Sequence, residues 1–380
     1  MKTFFIPRLI YFALFGSISL ILLSFLALLL VPMSASADWK DDWEKSVRAA
    51  KQEGSVVVYT FPGHERLFQA FQKKFPDIKL VEVTVRGSDR VTRILAERRG
   101  GKYIADVLMG GAGSAAAGLI KGGVLDPITP TLLLPEVLDV SKWWQGRHIY
   151  GDDEGKRIFS FAGAPLQYFH YNSNLVKAQE FKSYWDFVNP KWKGKIVIAE
   201  PLSGGTQEPL QFLYFNREIG PDFIKRFLTE MEPVVSRDIR QMVDWTAQGK
   251  VALAALQNAD RLDIWQAKQQ GLPVDSFSTG GFKEGGMVGS GGGNVMLVNR
   301  APHPNAAKVF INWLLSREGQ IVFQTLEAGK NSLRVDIPKD DVPERARILP
   351  GVKYALLDDP AYADLETVRR FVAEVWKKRN

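Results

Sequence analysis

Apolar and polar positions along this chain change their period several times, and each change marks an element. Leu9 to Val31 is a run of 23 uncharged, mostly apolar residues. An amphipathic helix ending at Gly54 leads to Ser55-Val56-Val57-Val58-Tyr59-Thr60, short, continuous and β-branched, which predicts a strand buried on both faces of a parallel sheet. Leu67, Phe68, Phe71 and Phe75 then fall at helical spacing, and Pro76-Asp77 breaks that helix before a second strand, Lys79 to Val85. A helix over Val91 to Arg99 leads through Gly100-Gly101 to a third strand, Ala105 to Met109. Strands alternating with helices predict an α/β domain with a parallel sheet.

Past a loop-rich stretch with Pro127, Pro130 and Pro135, the strand-like Leu166 to Tyr171 opens a second alternation. It contains a helix near Tyr184 to Val188, the strand Ile196 to Ala199, a long helix from about Gln207 and the strand Val251 to Leu256. A glycine-dense segment, Gly280 to Gly293, precedes the apolar Asn294 to Asn299, and its glycines let the chain bend as it recrosses. The helix after Pro304 sets Ala307, Phe310, Ile311, Leu314 and Leu315 on one face, and a last helix lies near Leu365 to Trp376.

The apolar run near the start changes the picture once its flanks are read. Lys2 and Arg8 precede it and Ala35-Ser36-Ala37 follows, the charge, hydrophobicity and small-x-small order of an export signal cleaved after Ala37, which places the remainder in the periplasm. The alternative is a retained anchor, since about 20 apolar residues span a bilayer, and a tethered sensor domain would follow from it. Removing residues 1–37 leaves 343 and lowers the formal net charge from +7 to +5. That length predicts two domains. No Cys is present, so neither disulfides nor a lipidated cysteine can form. With four His and no Cys, a metal cluster is not expected, nor a cofactor, and no block of five like charges points to nucleic acid.

An enzyme is the competing class. Gly111-Ala112-Gly113-Ser114-Ala115-Ala116 fits the dinucleotide fingerprint in its Ala-ending form, but a lone match is weak and an exported protein meets little NAD. Neither G-x-S-x-G nor H-E-x-x-H occurs. The small residues are better read as a tight helix start, and the chain as a non-enzyme.

A set of short motifs stands in a recognisable order: Val57-Val58-Tyr59-Thr60, Ala105-Asp106-Val107, Tyr171-Asn172-Ser173-Asn174 and Tyr184-Trp185-Asp186-Phe187 leading to Asn189-Pro190-Lys191-Trp192-Lys193-Gly194-Lys195. Gln248-Gly249-Lys250-Val251-Ala252 and His303-Pro304-Asn305-Ala306-Ala307 through Ser316-Arg317-Glu318-Gly319-Gln320 complete it. Through these motifs nearly the whole mature chain resembles the extracellular solute-binding proteins of ABC importers, in the branch of ferric-iron, thiamine and polyamine binders. The resemblance implies the type II periplasmic-binding-protein fold, two α/β lobes joined by two crossover strands. It also implies a monomer that closes on a small solute and presents it to an inner-membrane permease. The lobes expected are residues 38–167 with 290–326 and residues 173–285 with 327–380, with hinges near 167–172 and 289–295.

Ligands of open α/β sheets bind beyond the carboxyl ends of strands, which selects five loops: Tyr59 to His64, Arg86 to Asp89, Gly110 to Ser114, Ser203 to Thr206, and Asn258 to Arg261. Ser203-Gly204-Gly205-Thr206 follows a strand and begins a helix, so N–H groups, hydroxyls and the helix dipole can converge there on an anion. The plainer reading is that Ser and Thr cap the helix while the glycines turn the chain. The family places a Ser-Gly-Ala-like anion loop here. Its iron-binding members also have a His soon after the first strand, an acid after the Ala-Asp-Val strand, and a Tyr pair following an Asn. His64 stands near the first place, where a helix-start or surface role is the alternative, and Asn258 matches the Asn. Gly110 or Gly111 replaces the acid, and Asp260 and Arg261 replace the Tyr pair.

A guanidinium where ferric iron needs a phenolate disfavours bare iron. The expected cargo is therefore an organic solute with a carboxylate, phosphate or phosphonate, held by the Ser203 loop, Asn258 and Arg261. Tyr59 and Tyr168 would cover its body, with Thr60, Arg86, Gly111 and Ala112 beside them. A surface salt bridge of Arg261 with Asp260 or Asp263 remains open, as does ferric iron as cargo.

Overall fold

The computed structural model describes residues 35–380 except 86–88, 153, 155, 260–261, 327–330, 363 and 380. The apolar run Leu9 to Val31 and the candidate residues Arg86, Asp260 and Arg261 lie outside the described residues. Residues 46–380 form one compact unit, and the described residues before them, 35–45, belong to a separate unit. No helix among the described residues is long and apolar enough to cross a membrane.

The unit of residues 46–380 is built on three sheets. In the first, Lys79–Thr84, Ser55–Thr60 and Val107–Met109 run parallel, with Ser55 opposite Lys79 and Val58 opposite Val107. Asn294–Val298, arriving from far downstream, enters antiparallel beside Val107–Met109 and carries Phe159–Ser160 and Leu125–Asp126 on its other contacts. The second sheet repeats the plan. Val234–Ser236, Ile196–Ala199 and Leu253–Ala255 run parallel, and Phe169–Asn172 enters antiparallel beside Leu253–Ala255, followed by Val274–Ser276. Only the first sheet takes a strand from a distant part of the chain, since the strands of the second all lie between Phe169 and Ser276. In the third sheet the two passing segments meet, Ala164–Pro165 lying antiparallel to Gly286–Gly289, with Tyr354–Leu356 on the far edge.

The continuous apolar strands are buried as their composition predicts: all of Ile196–Ala199 and all but the first residue of Ser55–Thr60. Other expectations shift. The strand expected from Leu166 starts at Phe169, because the Leu166 N–H is spent on the carbonyl of Met287. Tyr184–Val188 is a 3-10 turn held by a capping box between Ser183 and Asp186. The helix from Gln207 ends at Phe215, and a separate helix, Gly220–Thr229, follows.

Pro304–Leu315 was expected to bury one face but is buried almost all round. Phe310 and Trp313 pack on Phe71, and Asn312 reaches across to accept the N–H of Leu133 and to donate to the carbonyl of Thr131. The glycine-dense segment serves close approach as well as bending. A Cβ on Gly293 would stand 2.4 Å from the Cβ of Ala162.

Candidate ligand cleft

In each sheet the first and third parallel strands are neighbours while their connections leave in opposite directions, so a crevice opens between their carboxyl ends. In the second sheet a cleft of about 410 Å³ lies over the carboxyl ends of all three parallel strands, walled by Glu200, Ser203, Gly205, Ser236, Arg237 and Gln257. The turn Gly204–Thr206 runs directly into the helix Gln207–Phe215. Ser203 makes no side-chain capping bond, so its hydroxyl is not used in the way the capping alternative requires. Thr206 differs. Its side chain is fully buried and its Oγ1 donates to the carbonyl of Pro201 at 2.7 Å, so it fixes the turn rather than facing the cleft.

Arg237 and Gln257 escape the sequence reading. Arg237 forks onto Glu200, Nε to Oε2 at 2.7 Å and Nη2 to Oε1 at 3.2 Å. Its strand, Val234–Ser236, is only three residues long and gives no period to detect. The helix after it is closed to outside anions by Asp238, whose carboxylate accepts the N–H groups of Arg240 and Gln241. Gln257 is buried beside the half-buried Asn258, takes the Asn258 N–H at 3.3 Å, and offers its carbonyl to His170 Nε2 at 2.8 Å.

Several expected contacts of the first sheet point elsewhere. Tyr59 is fully buried, its hydroxyl donates to Glu97 at 2.7 Å, and Arg93 lies 5.3 Å from its ring centre. Burial, with the Glu97 carboxylate, pushes its pKa up to about 12. It therefore faces the helix Asp89–Arg99. Thr60 Oγ1 lies 3.0 Å from His64 Nδ1, and the His64 ring packs among Phe61, Phe68 and Phe323 at 1% exposure. His64 precedes a helix, as one alternative held, yet its side chain neither caps that helix nor reaches the surface. Ala112 belongs to the same apolar core cluster as Tyr59, and Gly111 beside it is half-buried.

A polar network crosses between the sheets. The carbonyl of Gly110 accepts from Asn294 Nδ2 at 2.8 Å, and the same nitrogen donates to Ser290 Oγ at 2.9 Å. The Ser290 N–H donates to Asp358 at 2.8 Å. Burial pushes the Asp358 carboxyl up, the Glu208 charge adds to that, and the bonds from Ser290 oppose it. Glu208, in the first turn after the Ser203 loop, in turn accepts the hydroxyl of the fully buried Tyr168. Tyr168 was expected to cover a ligand; its hydroxyl is committed to Glu208. Among the described residues no three His, Cys, Asp or Glu side chains gather as a metal site.

Residues 62–321 match the profile of the family described as bacterial extracellular solute-binding protein. The chain belongs to this family. A Haemophilus influenzae protein described only as uncharacterized is 24% identical over 281 residues, 72% of this chain and 76% of its own. Among solved structures, Trichodesmium IdiA (FutA) in complex with iron and citrate is 20% identical, with a TM-score of 0.64 over 85% of this chain and 99% of that one. AfuA from Actinobacillus pleuropneumoniae with exogenous fructose-6-phosphate bound is 19% identical, with a TM-score of 0.54 over 86% and 98%. These likenesses show the type II periplasmic-binding-protein fold. Solute-binding proteins of this family take small solutes outside the cytoplasm and work with ABC permeases. The solute-binding protein described here is accordingly the substrate-binding component of an ABC transporter and not an enzyme.

Proposed function

We propose that this solute-binding protein captures an organic anion, with a carboxylate, phosphate or phosphonate group, in the cleft at the Ser203 turn and passes it to its permease. The observation that carries the reading is the turn itself: Ser203 and Gly205 line the cleft at the start of the helix Gln207–Phe215, with no capping bond from Ser203. Free N–H groups and the helix dipole favour negative charge at such a place. Residues 38–167 with 290–326 would form one lobe and residues 173–285 with 327–380 the other. The antiparallel pair Ala164–Pro165 and Gly286–Gly289 supports bending close to the expected hinges. The working form is a periplasmic monomer cleaved after Ala37.

Melting temperature with fructose 6-phosphate, phosphonoacetate, citrate, thiamine and spermidine tests the cargo class. An organic anion raises it, and saturating ligand at about 100 times its Kd adds roughly 2.7 kcal/mol of stability. A rise with spermidine or thiamine alone rejects the reading. Ferric iron is a second reading with one observation in its favour, because the Tyr168 phenol and the Glu208 carboxylate, both oxygen donors, are hydrogen-bonded to each other. Ferric binding that survives citrate competition and is lost in Y168F would favour it.

A further inference from the structure

We propose that Arg90 is the residue of the first sheet that grips the anionic group of the solute. This rests on the organic-anion reading above and adds a second point of attachment to it.

Arg90 stands in the first turn of the helix Asp89–Arg99 and is only 6% exposed. Its guanidinium gathers the ends of all three parallel strands of the first sheet. Nη1 donates to the carbonyl of Val85, just past the second strand, at 2.9 Å. Cζ lies 5.3 Å from the ring centre of Phe61, just past the first. Nη2 lies 2.7 Å from where a Cβ on Gly110, just past the third, would stand. This is the switch point of the sheet, the counterpart of the crevice walled by Ser203 and Gln257 in the second.

Among the described residues no carboxylate pairs with Arg90, and burial alone pulls its pKa down. Arg334 shows the ordinary arrangement for a buried guanidinium, with Asp336 at 2.8 Å and Glu136 at 3.2 Å. A buried cation without a counter-ion is unfavourable, and an anion from outside offsets that cost. Gly110 sharpens the point. A Cβ there would stand 2.7 Å from Nη2, so the bare glycine leaves room for the guanidinium. Hydrogen bonds run from the Gly110 carbonyl through Asn294 and Ser290 to Asp358, whose carboxyl feels the charge of Glu208 on the helix that follows Ser203.

The test is calorimetric titration of the exported protein and of R90M, R90K and G110A with fructose 6-phosphate, phosphonoacetate, citrate and inorganic phosphate. Arg90 donates charged hydrogen bonds, so R90M should bind the preferred anion about 10- to 100-fold more weakly, and R90K less so. G110A keeps Arg90 but pushes its fork aside, and should also weaken binding. Unliganded R90M should melt no lower than wild type, since it removes an unpaired buried charge; a merely structural arginine gives a lower melting temperature and unchanged affinity. If R90M does not fold, R90K and G110A decide. Wild-type affinity in these variants overturns the role of Arg90 and leaves the cargo class standing. A wild-type protein that binds none of the four anions overturns the cargo class, and this role with it.

Discussion

His303 Nδ1 lies 2.8 Å from Asp106 Oδ2, and Nε2 of the same ring lies 3.0 Å from Ser55 Oγ. The order of groups is that of a serine–histidine–aspartate relay, but the place is not. Ser55 opens the first parallel strand and Asp106 precedes the third, so the trio stands at the amino ends of the sheet, away from the cleft. Asp106 is fully buried and also accepts the N–H groups of Val57 at 2.7 Å and His303 at 2.9 Å. It is a clamp that fastens the start of the helix Pro304–Leu315 to the first sheet. D106A leaves those donors without an acceptor, at about 1–3 kcal/mol each. Urea unfolding should show a loss of roughly 3–5 kcal/mol, with cargo affinity of the folded fraction unchanged. A D106A midpoint equal to wild type refutes the clamp.

His170 should make the protein acid-sensitive. Burial lowers its pKa to about 4, against the opposing bond to Gln257 and the charge of Asp275. Nε2 faces the Gln257 carbonyl and Nδ1 the Ser276 hydroxyl, each at 2.8 Å, which suits a neutral ring. The folded pKa lies below the unfolded value of 6.5, so the stabilisation is present above about pH 6.5 and is lost as pH falls towards 4. The full swing is roughly 3 kcal/mol. H170Q should be less stable at neutral pH and flatter between pH 7 and 4; an unchanged slope in H170Q assigns the acid sensitivity elsewhere.

Gly293 is predicted to tolerate no side chain. A Cβ there meets Ala162 Cβ at 2.4 Å and the Ser290 carbonyl at 3.0 Å, neither of which is the end of a flexible side chain. G293A should lose about 1–3 kcal/mol, the usual cost of overpacking. Gly113, with nothing within 4 Å of its added Cβ, is the matched control, and G113A should unfold with wild type. Equal midpoints for the two variants would mean that the passing segments are not packed as described.

The strands Ser55–Thr60 and Ile196–Ala199 are legible because burial on both faces writes an unbroken apolar run. Val234–Ser236 and Val274–Ser276 are three residues each and partly exposed, too short to show any period. The Ser203 turn is legible as strand, glycines and helix start. Where a hydroxyl finally points is not, and Thr206 turns back to Pro201 while Tyr59 turns to Glu97. Arg90 stands one residue beyond the loop Arg86 to Asp89 that the strand-end rule selects. Only the fold shows its guanidinium laid against Gly110. Asp358 meets Ser290 across 68 residues, a pairing no local pattern announces.

Asp358 and Glu208 set two carboxylates in the network between the sheets, and that charge is a standing cost. Burial raises the Asp358 carboxyl and Glu208 raises it further. A raised folded pKa favours the protonated acid, so the stabilisation is full below the ordinary carboxylate range and is lost as pH climbs through the raised value. D358N removes the charge and keeps an oxygen for the Ser290 N–H. At about pH 8 it should be more stable than wild type by about 1.4 kcal/mol for each pKa unit that burial adds, and the gain should vanish near pH 3. With one negative charge fewer in the network, the preferred anion should bind D358N at least as tightly as wild type. Urea midpoints at the two pH values and one titration check both statements. A D358N protein that is less stable at about pH 8 shows that the Asp358 carboxylate is held by more than Ser290.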